Sequence, residues 1–149
     1  MLRVSRLADY ASVVMTCLAR RPREVLSAVQ IAEDARLELP TVSKLLKQLG
    51  HAGLVESFRG ASGGYRLTRA PAQINLAEIV EALDGPIGLT ECSAGHAGCE
   101  REAYCDISRA WQGIGSAFDA ALRDVSLADM LRPRAQPRRV AVRSHVGAA

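Results

Sequence analysis

A chain of 149 residues has room for one ordinary domain with a small appended element, and 48% hydrophobic residues are enough to build its core. Aromatic residues make up only 4%; a composition led by Ala, Leu, Val and Arg favours helices and argues against an aromatic-rich β-barrel. Uncharged apolar runs such as Ala11–Ala19 are far too short for a membrane span, and Arg3, Arg6 and Asp9 break up the N-terminal apolar residues. A cytoplasmic protein with no membrane contact is therefore expected.

The net charge of +3 conceals a segregation. Residues 1–70 carry eleven Lys/Arg against six Asp/Glu, a net +5, whereas residues 71–131 carry three against ten, a net −7. The last eighteen residues hold five Arg and no acid. A basic front followed by an acidic middle suits a nucleic-acid-binding part joined to something else. Charge alone fits ordinary solvated faces equally well.

In chain order, Leu7, Ala11, Val14 and Leu18 recur at helical spacing, so a first amphipathic helix is expected from Ser5 to about Ala19, ended by Arg20, Arg21 and Pro22. Ser27 and Gln30 form a capping box ahead of a short second helix carrying Ile31, Ala32 and Ala35. After a turn near Leu37, Pro40 opens a third helix whose core face is Val42, Leu45, Leu46 and Leu49 and which stops at Gly50. Two short helices joined by a tight turn are a helix-turn-helix candidate. Leu54–Phe58 and Tyr65–Thr68 then read as strands joined by a glycine-rich turn, the layout of a winged helix. That turn matches neither phosphate-binding glycine motif and links strand to strand, which argues against a nucleotide site.

Asn75 and Glu78 cap a fourth helix, with Ile74 and Ile79 placed as a hydrophobic staple and Gly85-Pro86 at its end. A cysteine-bearing loop fills about residues 88–105. Ile107, Trp111, Ile114, Phe118, Ala121 and Val125 then alternate steps of four and three, a heptad seam on a helix of about residues 105–125 that favours a homodimer. Ser126 caps a last short helix, and residues 132–149 have the composition of a disordered basic tail. The fold class is mainly α with a small β-hairpin wing: a winged helix-turn-helix (DNA-binding part about 1–70) plus a long C-terminal dimerisation helix, together spanning 1–131.

Thr41, Lys44, Lys47 and Gln48 are expected on the outer face of the third helix, where they would reach base edges and phosphates in a major groove. Arg59, at the wing tip, suits an adjacent narrow minor groove. Gly60, Gly63 and Gly64 would let the wing backbone approach phosphates, with Tyr65 following. Double-stranded DNA is the expected partner. The chain offers no activated nucleophile or paired acid and base, so an enzyme is not expected.

Four cysteines in such a chain do not read as a disulfide framework. Cys17 sits beside Leu18 and reads as a small core residue. Cys92, Cys99 and Cys105 are spaced C-x6-C-x5-C. Structural zinc uses tight C-x2–4-C pairs and four protein ligands, and neither is present. Three thiolates in a flexible segment fit an iron–sulfur cluster lacking one in-loop ligand, with His96 a candidate for it; a plain thiol switch stays open.

The segment Leu54-Val-Glu-Ser-Phe-Arg59-Gly-Ala-Ser-Gly-Gly-Tyr65 resembles the wing signature of the Rrf2 family of winged-helix regulators. The opening Leu2-Arg-Val-Ser-Arg-Leu-Ala-Asp9-Tyr10-Ala11, the three-cysteine loop and the long helix follow that family's order, over about residues 1–131. The closest likeness is to regulators of the SUF iron–sulfur assembly system, among IscR-like and NsrR-like members. The resemblance implies that Cys92, Cys99 and Cys105 ligate a cluster, 2Fe–2S favoured over 4Fe–4S. It also implies that Thr41, Ser43, Lys44 and Arg59 contact DNA, and that Asp9 matches an aspartate lent across the dimer to the cluster. Two departures stand out: Ser108 replaces a histidine ligand of IscR-like members, and Ser43 replaces their recognition-helix glutamate. The implied function is a cluster-sensing homodimeric repressor of cluster-assembly genes. The alternatives are a nitric-oxide-sensing repressor of the same build, or a cluster-free thiol or zinc regulator.

Overall fold

The computed structural model describes residues 3–90, 93 and 104–132. Its first helix, α1 (Arg6–Arg20), starts where the Ser5 hydroxyl accepts the Ala8 amide and buries Ala11, Val14, Met15 and Leu18. Helix α2 (Ala28–Ala35) carries the expected Ser27–Gln30 capping box, which satisfies two of the amide donors that a helix start leaves unpaired. It ends on Arg36 in the left-handed region (φ 54°), and this lets the Leu37 N–H reach the Ala32 carbonyl at 3.0 Å. That turn sets α3 (Leu39–His51) against α2, with Val42, Leu45, Leu46 and Leu49 fully buried.

The third helix runs one residue past Gly50, because Gly50 is not its terminator. Gly53 (φ 72°) makes the reversal, and the Leu54 N–H bonds back to the Leu49 carbonyl at 3.0 Å. Leu54 is thereby spent on the helix end, so β1 (Val55–Phe58) and β2 (Gly64–Leu67) each begin one residue away from expectation. They pair antiparallel with Val55 opposite Leu67 and Phe58 opposite Gly64. A further rung joins Tyr65 to Leu26 through two main-chain bonds of 2.8 and 2.9 Å, pinning the hairpin to the residues just before α2.

Asn75 and Glu78 cap α4 (Leu76–Asp84), and Gly85 (φ 81°) ends it. Helix α5 (Ser108–Arg123) is shorter than the expected 105–125. Val125 lies beyond it, and its carbonyl accepts the Leu76 N–H at 2.9 Å, while the Leu127 N–H reaches Ile74 O at 2.7 Å. Val125 therefore belongs to this main-chain knot and not to the apolar seam. Helix α6 (Leu127–Met130), capped by Ser126, drops Leu127 into the core formed by α1, α2, α3, the hairpin, Ile74 and Ile79. No described helix is long and apolar enough to cross a membrane.

Ion pairs tie α4 to its surroundings: Glu78 to Arg69 just after the hairpin (2.6 Å) and Glu81 to Arg123 near the end of α5 (2.7 Å). Burial works to raise the Glu78 carboxyl, but the Arg69 and Asn75 hydrogen bonds and the Arg69 and Arg123 charges outweigh it and hold it below its ordinary value. A group depressed in the folded state contributes stability above its unfolded pKa and loses it as pH falls through the folded one.

Gly64 admits no side chain, since a Cβ there would lie 2.3 Å from the Leu26 carbonyl oxygen. Gly64→Ala is expected to break the Leu26–Tyr65 rung and cost about 1–3 kcal/mol of stability, read from the urea midpoint.

Candidate functional site

The outward side of α3 carries Ser43, Lys44 and Lys47, all exposed. Thr41 and Gln48 are half-buried, which differs from the expectation that they project opposite the core face. The reason is angular: at 100° per residue they fall on the flank nearest Leu45. Gln48 has its Oε1 enclosed without a hydrogen-bond partner among the described residues. A cleft of about 580 Å³ separates α3 from the hairpin and is lined by Ser43, Lys47, His51, Glu56, Ser57 and Tyr65 among others. His51 was not among the expected contact residues, although its i+4 spacing from Lys47 puts it on the same helical face.

Arg59 is exposed at the hairpin tip, beside Gly60 (φ 101°). A Cβ at Gly63 would sit 2.4 Å from the Phe58 carbonyl oxygen, so the wing's glycines are demanded by the turn before any partner is considered. Arg66 is occupied: it bonds Glu56 at 2.8 Å and stacks over the Phe58 ring at 4.9 Å. Tyr65 is half-buried, its backbone in the Leu26 rung and its side chain packed against the core. Lys44, Lys47 and Arg59 are thus the exposed cations on α3 and the wing tip, the residue types that hold phosphates and read grooves.

Of the cysteines, Cys17 is buried in α1, and Cys105 is half-buried just ahead of α5. Burial pushes the Cys17 thiol up, with the Arg20 charge opposing. Cys92, Cys99 and His96 lie outside the described residues, as does the stretch 133–149. Ser93, next to Cys92, is seated on α5: a Cβ at Gly115 would lie 2.9 Å from the Ser93 Cβ. Its hydroxyl accepts the Leu89 and Thr90 amides at 2.9 and 2.8 Å, closing a turn at the entry to the cysteine segment.

The start of α5 has Ile107 as its N-cap and no side-chain cap, leaving an electropositive helix end next to Cys105. Cys105 is the described thiol of the C-x6-C-x5-C set, a soft donor of the kind that thiolate-held iron centres use. Among the described residues no three His, Cys, Asp or Glu converge as a metal site. Ser108 is the first residue of α5 and half-buried. Asp9 is exposed on α1 and lines a cleft of about 900 Å³ with Arg6, Ser12, Leu122 and Met130. Leu122 is at the far end of α5 from Cys105, roughly 25 Å away at 1.5 Å per residue. Asp9 therefore lies at the opposite end of α5 from Cys105 within one chain.

Helix α5 leaves Ile107, Ile114 and Phe118 exposed at 61%, 50% and 40%, with Trp111 half-buried. An apolar row of this kind on a monomer marks a surface for a partner.

A family model described as Rrf2, "Iron-dependent Transcriptional regulator", matches residues 4–133. The chain is 28% identical over 141 residues to the HTH-type transcriptional regulator IscR of Cereibacter sphaeroides, covering 91% of each. Among solved structures it resembles CymR, the global cysteine regulator of B. subtilis, at 31% identity and a TM-score of 0.70 over 88% of this chain and 97% of that one. It also resembles T. potens IscR, at 30% identity and a TM-score of 0.68 over 91% and 94%.

The thiols should react unequally. Iodoacetamide is expected to modify Cys105 in the folded chain and spare Cys17, whose burial blocks access and disfavours the thiolate. Peptide mass spectrometry checks this, and equal labelling of the two would contradict it.

Proposed function

Because the chain belongs to the Rrf2 family of iron-dependent transcriptional regulators, we propose that it is a homodimeric repressor whose DNA affinity follows an iron–sulfur cluster held by Cys92, Cys99 and Cys105. The observation that carries this reading is Cys105 just ahead of α5, whose apolar row Ile107–Ile114–Phe118 is exposed among the described residues. Pairing two α5 rows buries that surface and sets two α3 helices at a fixed spacing, as reading two half-sites requires. Lys44, Lys47 and Arg59 supply phosphate and groove contacts, with Thr41, Ser43 and Gln48 on the same helix and Gly60, Gly63, Gly64 and Tyr65 shaping the wing.

A bound cluster would supply a redox- and supply-sensitive centre, 2Fe–2S favoured over 4Fe–4S. Its ordering of the loop would favour one arrangement of the recognition helices, so gain and loss of iron shift the DNA-bound population. The targets are cluster-assembly genes, and the working compartment is the cytoplasm. Asp9 of one protomer is the first choice for a fourth donor to its partner's loop, because Asp9 and Cys105 lie at opposite ends of α5. His96 is the second choice. An alternative is a cluster-free thiol or zinc regulator of the same build; CymR, to which the chain is similar, is named a global cysteine regulator. A nitric-oxide-responsive cluster of the same build is a third reading.

Anaerobic purification with iron and sulfide analysis and a visible spectrum tests the reading directly. About two to four iron and sulfide per chain are expected for a cluster, and none would favour the thiol alternative. In that preparation Asp9→Ala should speed cluster loss more than His96→Ala; a wild-type spectrum and lifetime in Asp9→Ala would remove the cross-subunit donor.

Arg59→Ala is expected to weaken specific DNA binding by about 1–3 kcal/mol with a smaller effect on random DNA. Fluorescence anisotropy on a selected operator and a scrambled duplex measures it. Equal losses on both would take Arg59 out of the sequence-reading set.

A further inference from the structure

Asp84 ends α4, immediately before the Gly85-Pro86 turn that leads toward the cysteine segment. Its carboxylate accepts from both hydrogen donors of Ser5, the backbone N–H at 3.2 Å and the hydroxyl at 2.5 Å. The same Ser5 hydroxyl oxygen accepts the Ala8 N–H at 3.1 Å. One serine is therefore both the N-cap of α1 and the anchor of a contact 79 residues away in sequence. Bonds to a carboxylate are the stronger kind, and a hydroxyl that donates to Asp84 is polarised into a better acceptor for the helix amide.

The other end of this connection is also held. From Gly85 the chain reaches the turn closed by the Ser93 hydroxyl, and Ser93 rests on Gly115 of α5. Between the two anchors lies a cavity of about 400 Å³ bordered by Val4, Val80, Asp84, Pro86, Leu89 and Phe118. The connection is thus pinned at both ends, and the short stretch of chain from Gly85 to Ser93 is what joins the two pins. Beyond Ser5, α1 shares one core with α3 through Ala11, Val14, Leu18, Leu45 and Leu49.

We propose that Asp84 is a positioning residue that couples the seating of the cysteine segment on α5 to the first turn of α1, and through the shared core to the recognition helix α3. Its regulatory meaning rests on the function proposed above; the coupling itself needs no iron.

A two-residue cycle on the full-length, reduced, metal-free protein tests this, with amide exchange at Ala8 and Asp9 followed by NMR. Gly115→Ala displaces Ser93 without touching Ser5 or Asp84, and alanine favours the helix itself. Loosening of α1 can then arrive through the connection or through α4, which packs on both α5 and α1, and the comparison with Asp84→Ala separates the two. Gly115→Ala is expected to speed exchange at both amides by about threefold and Asp84→Ala by about fivefold, the scale of one ordinary hydrogen bond. The double variant should exchange no faster than Asp84→Ala alone. Additive effects would reduce Asp84 to a local cap and overturn the proposal, as would an unchanged α1 in either single variant. If Asp84→Ala does not fold, Asp84→Asn keeps one acceptor oxygen and enters the cycle under the same criterion. A wild-type protein that takes up no cluster would remove the function proposed above and leave the coupling measured by this cycle unaffected.

Discussion

The main-chain knot between Ile74–Leu76 and Val125–Leu127 decides how the rest of the molecule is arranged. Two backbone bonds there return the chain to the core after some fifty residues, closing a loop whose entropy cost grows only slowly with length. Leu127 enters the core at this point and Arg123, one turn earlier, pairs with Glu81. The C-terminal end of α5 is thus clamped to α4, and Cys105 precedes its other end. A helix clamped at one end keeps Ile107, Ile114 and Phe118 exposed among the described residues.

Seen from α4, the molecule is a hub with three arms. Glu78, Glu81 and Asp84 recur every three residues, so they share one side of the helix, and each reaches a different element: the segment after the wing, α5, and the start of α1. Individually, exposed pairs of this kind add little stability. Their value lies in position, because they tie the wing, the long helix and the first helix to one short rigid rod. The acidic middle of the chain, which segregates from the basic front in the charge count, is in part this set of ties.

The wing shows how a motif can have two causes at once. Its glycines read in the sequence as a backbone made to approach phosphates, yet the turn and the Leu26 rung already require Gly63 and Gly64 on steric grounds. Arg66 and Arg59 stand only seven residues apart, and tertiary contacts separate their roles: Arg66 is committed to Glu56 and Phe58, while Arg59 stays exposed.

Local chemistry was readable from residue order alone. Ser27, Asn75 and Ser126 cap helices where their side chains predict it, and the core rows of α1 and α3 follow from a 3.6-residue period. Those features depend on neighbours within a turn or two, so sequence spacing carries them. Other features were decided only by packing between distant segments. Thr41 and Gln48 stand on the flank of α3 by helical angle, and it is the packing of neighbouring elements that half-buries them there. Val125 lies past the end of α5, where its carbonyl accepts the Leu76 N–H, and Ser5 acquired Asp84, which no local spacing could indicate. Residue order determined the elements and their caps, since those are short-range balances of propensity and hydrogen bonding. Which polar groups meet across the fold was settled by the core, because only burial of the apolar faces brings residues 5 and 84, or 76 and 125, within reach of one another.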